Sequence, residues 1–298
     1  MSGPRIAVVG SANMDLVGTG ARLPRPGETV LGHEFVMVPG GKGANQAIAA
    51  ARAGGDVSFL GALGSDAFGV TLKARLESSG VDTALTRVSY GASGVAIVMV
   101  DEPGENSIMV LPGANSSFTA LQPDELAAVA AADVLLLQLE IPLATVTAAA
   151  VAARAAGTRV VLNAAPSMPL PPELLAAVDL LVVNEVEQQD IAGAGREEPG
   201  RLLDVVPRVV LTVGSDGAWY AERGRDPVHV PAFAVETVDS TAAGDAFVGA
   251  LAVAWGEGRE LIDAVRWASA AGAVCVRRLG SSVALPSRAD IDALYGAG

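Results

Sequence analysis

The chain of 298 residues has one cysteine, Cys275, and two histidines. A single thiol excludes an internal disulfide and any multi-cysteine metal centre, and Cys275 reads as a core residue. Basic side chains are also scarce: 20 Lys and Arg face 33 Asp and Glu, for a formal net charge of −13. Nucleic acid and anionic membrane surfaces require a basic face, so neither is an expected partner. Charged residues are only 18% of a chain that is 51% hydrophobic, which argues against disorder. No stretch of about 20 apolar residues is free of charges or breakers, so no membrane span is expected. The apolar run after M-S-G-P-R is too short for a secretory signal, and a cytoplasmic location is the expectation.

What the sequence does have is a rhythm. Short β-branched, apolar runs fall at residues 6–9, 57–60, 134–137, 160–162, 180–183 and 209–213. They are continuous rather than alternating, as in strands covered on both faces. Helical patterns separate several of them: Ala44, Ala47, Ile48 and Ala51 share one face, and an Ala-rich stretch at 146–156 closes on Gly157. The expected fold is a single α/β domain over residues 1–298, with a mainly parallel central sheet and helices on both faces.

Two regions break the rhythm. Residues 16–39 contain L-P-R-P-G-E-T and E-F-V-M-V-P, and residues 94–111 place G-V-A-I-V-M-V and S-I-M-V-L around the turn D-E-P-G-E-N. Together they predict a small antiparallel sheet projecting from the body, as a lid over a site or as a contact between two subunits.

Polar motifs cluster where strands should end. In P-G-G-K-G-A-N-Q, residues 39–46, the glycines at 40, 41 and 43 let backbone approach a ligand. A helix follows at once, and Lys42 and Asn45 add polar reach. Glycine after the lysine excludes a Walker A loop, and the spacing excludes a dinucleotide fingerprint. A plain strand–turn–helix connection is the alternative. Asn13 and Asp15 leave the end of the first run, where open α/β sheets bind ligands, and both side chains suit a polyol; an Asx turn is the alternative. In T-V-D-S-T-A-A-G-D-A-F, residues 237–247, a helix is expected from near Thr241. Ala242, Ala243 and Gly244 leave its first N–H groups unobstructed for negative charge. Asp245 either complements the helix dipole or takes a proton from a hydroxyl while those groups hold a transferred phosphoryl. N-E-V-E at 184–187 and L-T-V-G-S-D-G at 211–217 also follow strands. Asn184 and Glu187 suit a hydrated Mg²⁺, and the glycine turn suits ATP phosphate or ribose.

In this order along nearly the whole chain, S-A-N-M-D, P-G-E-T, G-G-K-G-A-N-Q, Q-L-E, N-E-V-E, L-T-V-G-S-D-G and D-S-T-A-A-G-D-A-F resemble the PfkB-type sugar kinases. G-G-K-G-A-N-Q, P-G-E-T and A-A-G-D most resemble the members acting on ribose. The resemblance implies ATP-dependent phosphorylation of the 5-hydroxyl of D-ribose, with ATP, Mg²⁺ and K⁺ as cofactors and a homodimer formed through the lid. It implies that Asn13, Asp15, Gly41, Lys42, Gly43, Asn45 and Glu140 hold the sugar, with Asp245 as base and Ala242, Ala243 and Gly244 as anion hole. Asn184, Thr212, Gly214, Ser215, Asp216, Gly217, Gly244 and Ser269 would lie along ATP, and Glu187 would reach Mg²⁺ through water. Asp239, Thr241, Cys275, Arg278 and Gly280 would hold the monovalent cation, largely by carbonyls. Ser269 stands where these relatives often have a histidine near adenine, and Ala284 where a serine hydroxyl would meet the cation. A family member for another sugar or a nucleoside, or a sugar-binding regulator without catalysis, are the alternatives.

Overall fold

The computed structural model describes residues 3–192 and 199–297. The first strand, β1 (Arg5–Val9), stops at Gly10, where the chain leaves for β2 (Asn13–Gly20) and β3 (Gly32–Gly40). It returns through α1 (Lys42–Arg52) to β4 (Asp56–Leu60). After β5 (Ala62–Gly64), α2 (Ala67–Ser78) and β6 (Arg87–Ser89), a second excursion forms β7 (Gly94–Asp101) and β8 (Asn106–Leu111). Strand and helix then alternate: α3 (Pro123–Ala131), β9 (Val134–Leu137), α4 (Leu143–Ala156), β10 (Arg159–Asn163), α5 (Pro172–Ala177), β11 (Leu180–Asn184), α6 (Glu185–Ala192) and β12 (Arg208–Thr212). A hairpin, β13 (Ala218–Glu222) and β14 (Val228–Val230), precedes α7 (Ala243–Gly256), α8 (Leu261–Cys275) and α9 (Arg288–Ala297).

All six apolar runs are strands of one eight-stranded sheet, ordered β14-β13-β12-β11-β10-β9-β1-β4. Pairing is parallel from β4 through β12 and antiparallel only for β13 and β14. Continuous apolarity has its cause in the alternation of side chains between two covered faces. Ile6 and Val8 of β1 join Val134, Leu136, Val161, Leu180, Val182 and Val210 in a core under α1, α2, α7, α8 and α9. Ala7 and Val9 join Leu135, Leu137, Val160, Leu162, Leu181 and Val183 under α3, α4 and α5.

Strand order fixes where a ligand can sit. The chain after β1 continues into α1 on one face, and the chain after β9, its neighbour, continues into α4 on the other. The carboxyl ends of β1 and β9 therefore flank a topological switch point, where the connections diverge and leave a crevice.

The second sheet runs β3-β2-β7-β8. Its 94–111 half is the expected hairpin, with β7 and β8 antiparallel. The sheet is mixed rather than antiparallel, because β2 and β7 pair in parallel. The chain passes through α1, β4 and α2 between the two hairpins, so their inner strands enter from the same side. Helix α7 begins at Ala243, later than Thr241. The Asp239 carboxylate accepts the Thr241 N–H and hydroxyl, at 2.9 and 2.6 Å, which holds 239–241 as an Asx turn. Ala242 then takes a left-handed conformation, φ 61°, unique among the described non-glycine residues.

Candidate active site

The site grows from contact between the end of β1 and the start of α1. Gly41 has φ 91°, and a Cβ there would lie 2.6 Å from the Asn13 nitrogen. A Cβ on Gly43 would lie 2.5 Å from the Ser11 nitrogen. Only glycine permits this approach. Glu140, just after β9, fastens the junction: Oε2 accepts from the Ser11 hydroxyl at 2.5 Å and from the Lys42 N–H at 3.0 Å. Buried Asn115 accepts the Ala12 N–H and donates to Asn13 Oδ1 at 2.7 Å. That bond fixes the Asn13 amide so that its NH₂ group is the part left to meet a ligand.

Three carboxylates converge here. Burial, then the charges of Glu140 and Asp245, push Asp15 up to about 7. Burial likewise raises Asp245, opposed by Lys42 and by the amides of Gln46 and Asn45. Asn45 Nδ2 donates to Asp245 Oδ2 at 3.0 Å, and Gln46 Nε2 donates to Oδ1 at 2.9 Å. Asn45 Oδ1 is buried without a partner, an acceptor in position for a hydroxyl. Helices α1 and α7 cross closely enough for these bonds because Gly249 has no side chain; a Cβ there would lie 2.6 Å from that of Ala49. Asn13, Asp15, Gly41, Lys42, Gly43, Asn45, Glu140 and Asp245 thus belong to one polar junction, tied by hydrogen bonds, close packing and mutual charge.

Beside it lies a cavity of about 480 Å³ lined by Thr212, Gly214, Ser215, Gly217, Ala243, Gly244 and Ser269, with Phe233, Phe247 and Val276 supplying apolar walls. Ser269 donates to the Val265 carbonyl in its own helix, so its hydroxyl is already engaged. Asp216 is exposed and does not line the cavity, although its carbonyl meets His229 Nε2 at 2.8 Å. Asn184 and Glu187 lie outside the lining too, and they cap α6 reciprocally through two 2.8 Å bonds. Burial raises Glu187, against the Asn184 N–H that it accepts. Ala243 departs from the expected anion hole, since its N–H donates to the Ser240 carbonyl at 3.2 Å. The next two N–H groups, of Gly244 and Asp245, have no acceptor among the described residues, and the space around Gly244 is open.

Asp239 sits behind α7. Burial raises it, but the bonds from Thr241 and Gly280 outweigh that and hold it below the usual carboxylate range. Gly280 donates its N–H to Oδ2 at 2.8 Å. Cys275 is buried, its thiol pushed up to about 12 and its Sγ 3.7 Å from the Thr241 carbonyl. Arg278 turns its guanidinium away from Asp239 to Asp290, at 3.4 Å. Ala284 is buried, Ser281 donates to the Pro39 carbonyl, and Ser282 meets Arg75.

Sequence reasoning left Ser11, Gln46, Asn115, Gln138 and Asn163 without roles. Gln138 and Asn163 carried a usable signal: each is a polar residue at the carboxyl end of an apolar strand run. Asn115 carried none, because it lies in a short 3₁₀ turn 103 residues from the backbone that it holds.

A helix start with two open N–H groups beside a buried carboxylate, on an α/β sheet with a switch point, suits an enzyme that moves phosphoryl groups to alcohols. The model for the pfkB family carbohydrate kinases matches residues 4–288, and the chain belongs to that family. It is 38% identical to a ribokinase of Bacillus subtilis, over 97% of this chain and 98% of the relative. It is 36% identical to a ribokinase of Haemophilus influenzae, over 95% of each. The solved Arabidopsis thaliana ribokinase, complexed with ribose and ATP, superposes with a TM-score of 0.91 at 34% identity, covering 99% of both chains. The protein is an ATP-dependent sugar kinase.

Proposed function

We propose that the protein transfers the γ-phosphoryl group of ATP to the 5-hydroxyl of D-ribose, giving D-ribose 5-phosphate and ADP. The carrying observation is the convergence of Asp15, Glu140 and Asp245 with the amides of Asn13 and Asn45 on one polar space. Such a space presents acceptors and donors to several hydroxyls at once, which suits a pentose. It opens beside the cavity that would take the nucleotide. Glu140 and Lys42 hold the sugar's side of the junction.

Asp245 accepts the proton of the 5-hydroxyl as the O–P bond forms. The bond from γ-phosphorus to its bridging oxygen breaks, and ADP leaves with the electron pair. The N–H groups of Gly244 and Asp245 stabilise the transferring group, since charge stabilisation and positioning are the main requirements of this chemistry. Thr212, Gly214, Ser215 and Gly217 line the nucleotide's path, and Ser269 borders the adenine end. Mg²⁺ would neutralise phosphate charge, with Glu187 reaching it through water: its carboxylate accepts only the Asn184 N–H in the cap and keeps capacity, and a hydrated ion needs only such an outer partner. K⁺ would sit against ionised Asp239 with carbonyls of Thr241, Cys275, Arg278 and Gly280. The donor set fits a weakly held cation, one side-chain oxygen poorer because of Ala284.

The small sheet would close over the sugar with the face that carries Asp15. Its other face exposes Phe35 at 63%, Met37 at 56% and Met109 at 61%, a patch that a second copy would cover in a homodimer. Met37→Glu would then yield a monomer by analytical ultracentrifugation; a wild type already monomeric at micromolar concentration would remove the dimer. The activity itself is tested with ATP, Mg²⁺ and a panel of pentoses, hexoses and nucleosides. D-Ribose is expected to give the highest kcat/KM, and fructose or adenosine ahead of it would replace the assignment with another member of the family.

A further inference from the structure

Gln46 is wholly buried in α1, touches the candidate base, and has no part in the chemistry above. A buried primary amide must place two N–H groups and one carbonyl, and here all three directions are filled. The carbonyl accepts from Gln138 Nε2 at 2.6 Å. The NH₂ group donates to Asn163 Oδ1 and Asp245 Oδ1, both at 2.9 Å. Asn163 is itself oriented by its donation to the Val182 carbonyl at 3.3 Å. Flipping Gln46 would set its oxygen against two acceptors, Asn163 Oδ1 and Asp245 Oδ1, so the oriented Asn163 locks it in one sense; Gln138, whose own Oε1 is buried without a partner, holds the Gln46 carbonyl from the other side. Asn45, the other donor to Asp245, has no such lock, because its Oδ1 is unpartnered.

We propose that Gln46 is a positioning residue for phosphoryl transfer: clamped by Gln138 and Asn163, it presents a fixed N–H to Asp245, setting the carboxylate's rotamer and favouring its proton-accepting form. A fixed donor stabilises the anion against the proton that burial would impose on it. The other charged and titratable groups around Asp245 are Lys42 on α1, Glu140 after β9, Asp15 on β2, Glu187 on α6 and Cys275 on α8. Lys42 favours the anion and Glu140 opposes it, and the hydrogen bonds of the Gln46 amide go to Asn163, Asp245 and Gln138.

The inference rests on Asp245 being the base of a sugar kinase, and the test separates the two claims. The readout is kcat against pH at saturating ATP and D-ribose. In Gln46→Met the acid limb is expected to move up by about one pH unit, because the anion loses its fixed donor. In Gln46→Glu it should move further, since a second carboxylate then faces the first. Gln138→Met leaves Asp245 untouched and releases only the clamp, so its limb should move the same way by less. Ribose affinity should change little in all three. A lower kcat at every pH with the limb at its wild-type position would reduce Gln46 to packing and overturn the proposal. If the Gln46 variants do not fold, Gln138→Met decides alone, and an unmoved limb there is the overturning result. A wild-type enzyme without ATP-dependent sugar turnover would overturn the kinase reading first, and this proposal with it.

Discussion

The sugar side and the nucleotide side of the cleft are built on opposite plans. On the sugar side, side chains grip one another across long stretches of sequence: Ser11 with Glu140, Asn13 with Asn115, Asn45 and Gln46 with Asp245. On the nucleotide side the lining is mostly glycine, alanine and apolar side chains around an open Gly244, with the hydroxyls of Thr212, Ser215, Thr237 and Ser240 among them and Ser269 turned to its own helix. The contrast shows where specificity resides. Locked polar groups reject a ligand that leaves one of them unpaired, whereas a smooth wall with backbone donors accepts shape and charge. The two plans meet at Asp245, whose side chain belongs to the first and whose N–H belongs to the second.

Asp245→Asn breaks the meeting point and carries the largest expected effect. The amide keeps the shape but cannot take the proton, so kcat should fall by about 10² to 10⁴. Ribose affinity by calorimetry should hold within a few-fold. Loss of binding equal to the loss of rate would make Asp245 a sugar ligand instead.

Gly244→Val probes the smooth side. A Cβ there would meet no protein atom within 4 Å, so folding should be little affected while the space for phosphate is narrowed. A fall of about 100-fold in kcat/KM for ATP, with the melting temperature nearly unchanged, is expected. Wild-type kinetics would place the phosphate elsewhere.

Asp15→Asn probes the gripping side. The raised Asp15 binds its proton more tightly in the folded chain than at its ordinary 3.8, so this group makes stability fall as pH rises from 3.8 through about 7. Asparagine removes that effect, and the sugar-free protein should be more stable than wild type by about 1–3 kcal/mol at pH 8 in urea titrations. Ribose affinity should weaken by about 10- to 100-fold as an acceptor is lost. A variant less stable at pH 8 would contradict the crowding of the three carboxylates.

The smallest effect concerns the loop behind α7. K⁺ should raise kcat a few-fold over a bulky organic cation at equal ionic strength, and more in Ala284→Ser. Equal rates in both proteins would remove the cation site.

The same contrast explains what the sequence made legible. Glycine motifs at strand ends were readable as places of close approach or tight turning because such motifs lie in consecutive residues: Gly41 and Gly43 pack against 10–13, and Gly214, Gly217 and Gly244 line the cavity. The two-faced sheet was readable because continuous apolar runs have few other uses in a chain so poor in charge. The grip was not readable. Gln46 meets Asn163 and Asp245 at separations of 117 and 199 residues, and only strand order brings them together. The helix start at Ala243 was missed because the Asx turn at Asp239 competes with helix for the same N–H groups. Asn184 and Glu187 fit a metal role and a helix cap equally well by spacing, and the cap is what the geometry displays.

The position that receives the phosphoryl group is the most direct test of the site. With the purified protein, ATP, Mg²⁺ and D-ribose, the product is examined by phosphorus–proton correlation NMR. The convergence of Asp245 with the open N–H groups of α7 predicts one product, coupled to the two protons on carbon 5, formed in step with ADP. Phosphate on another oxygen, or ADP released with ribose unchanged, would contradict it.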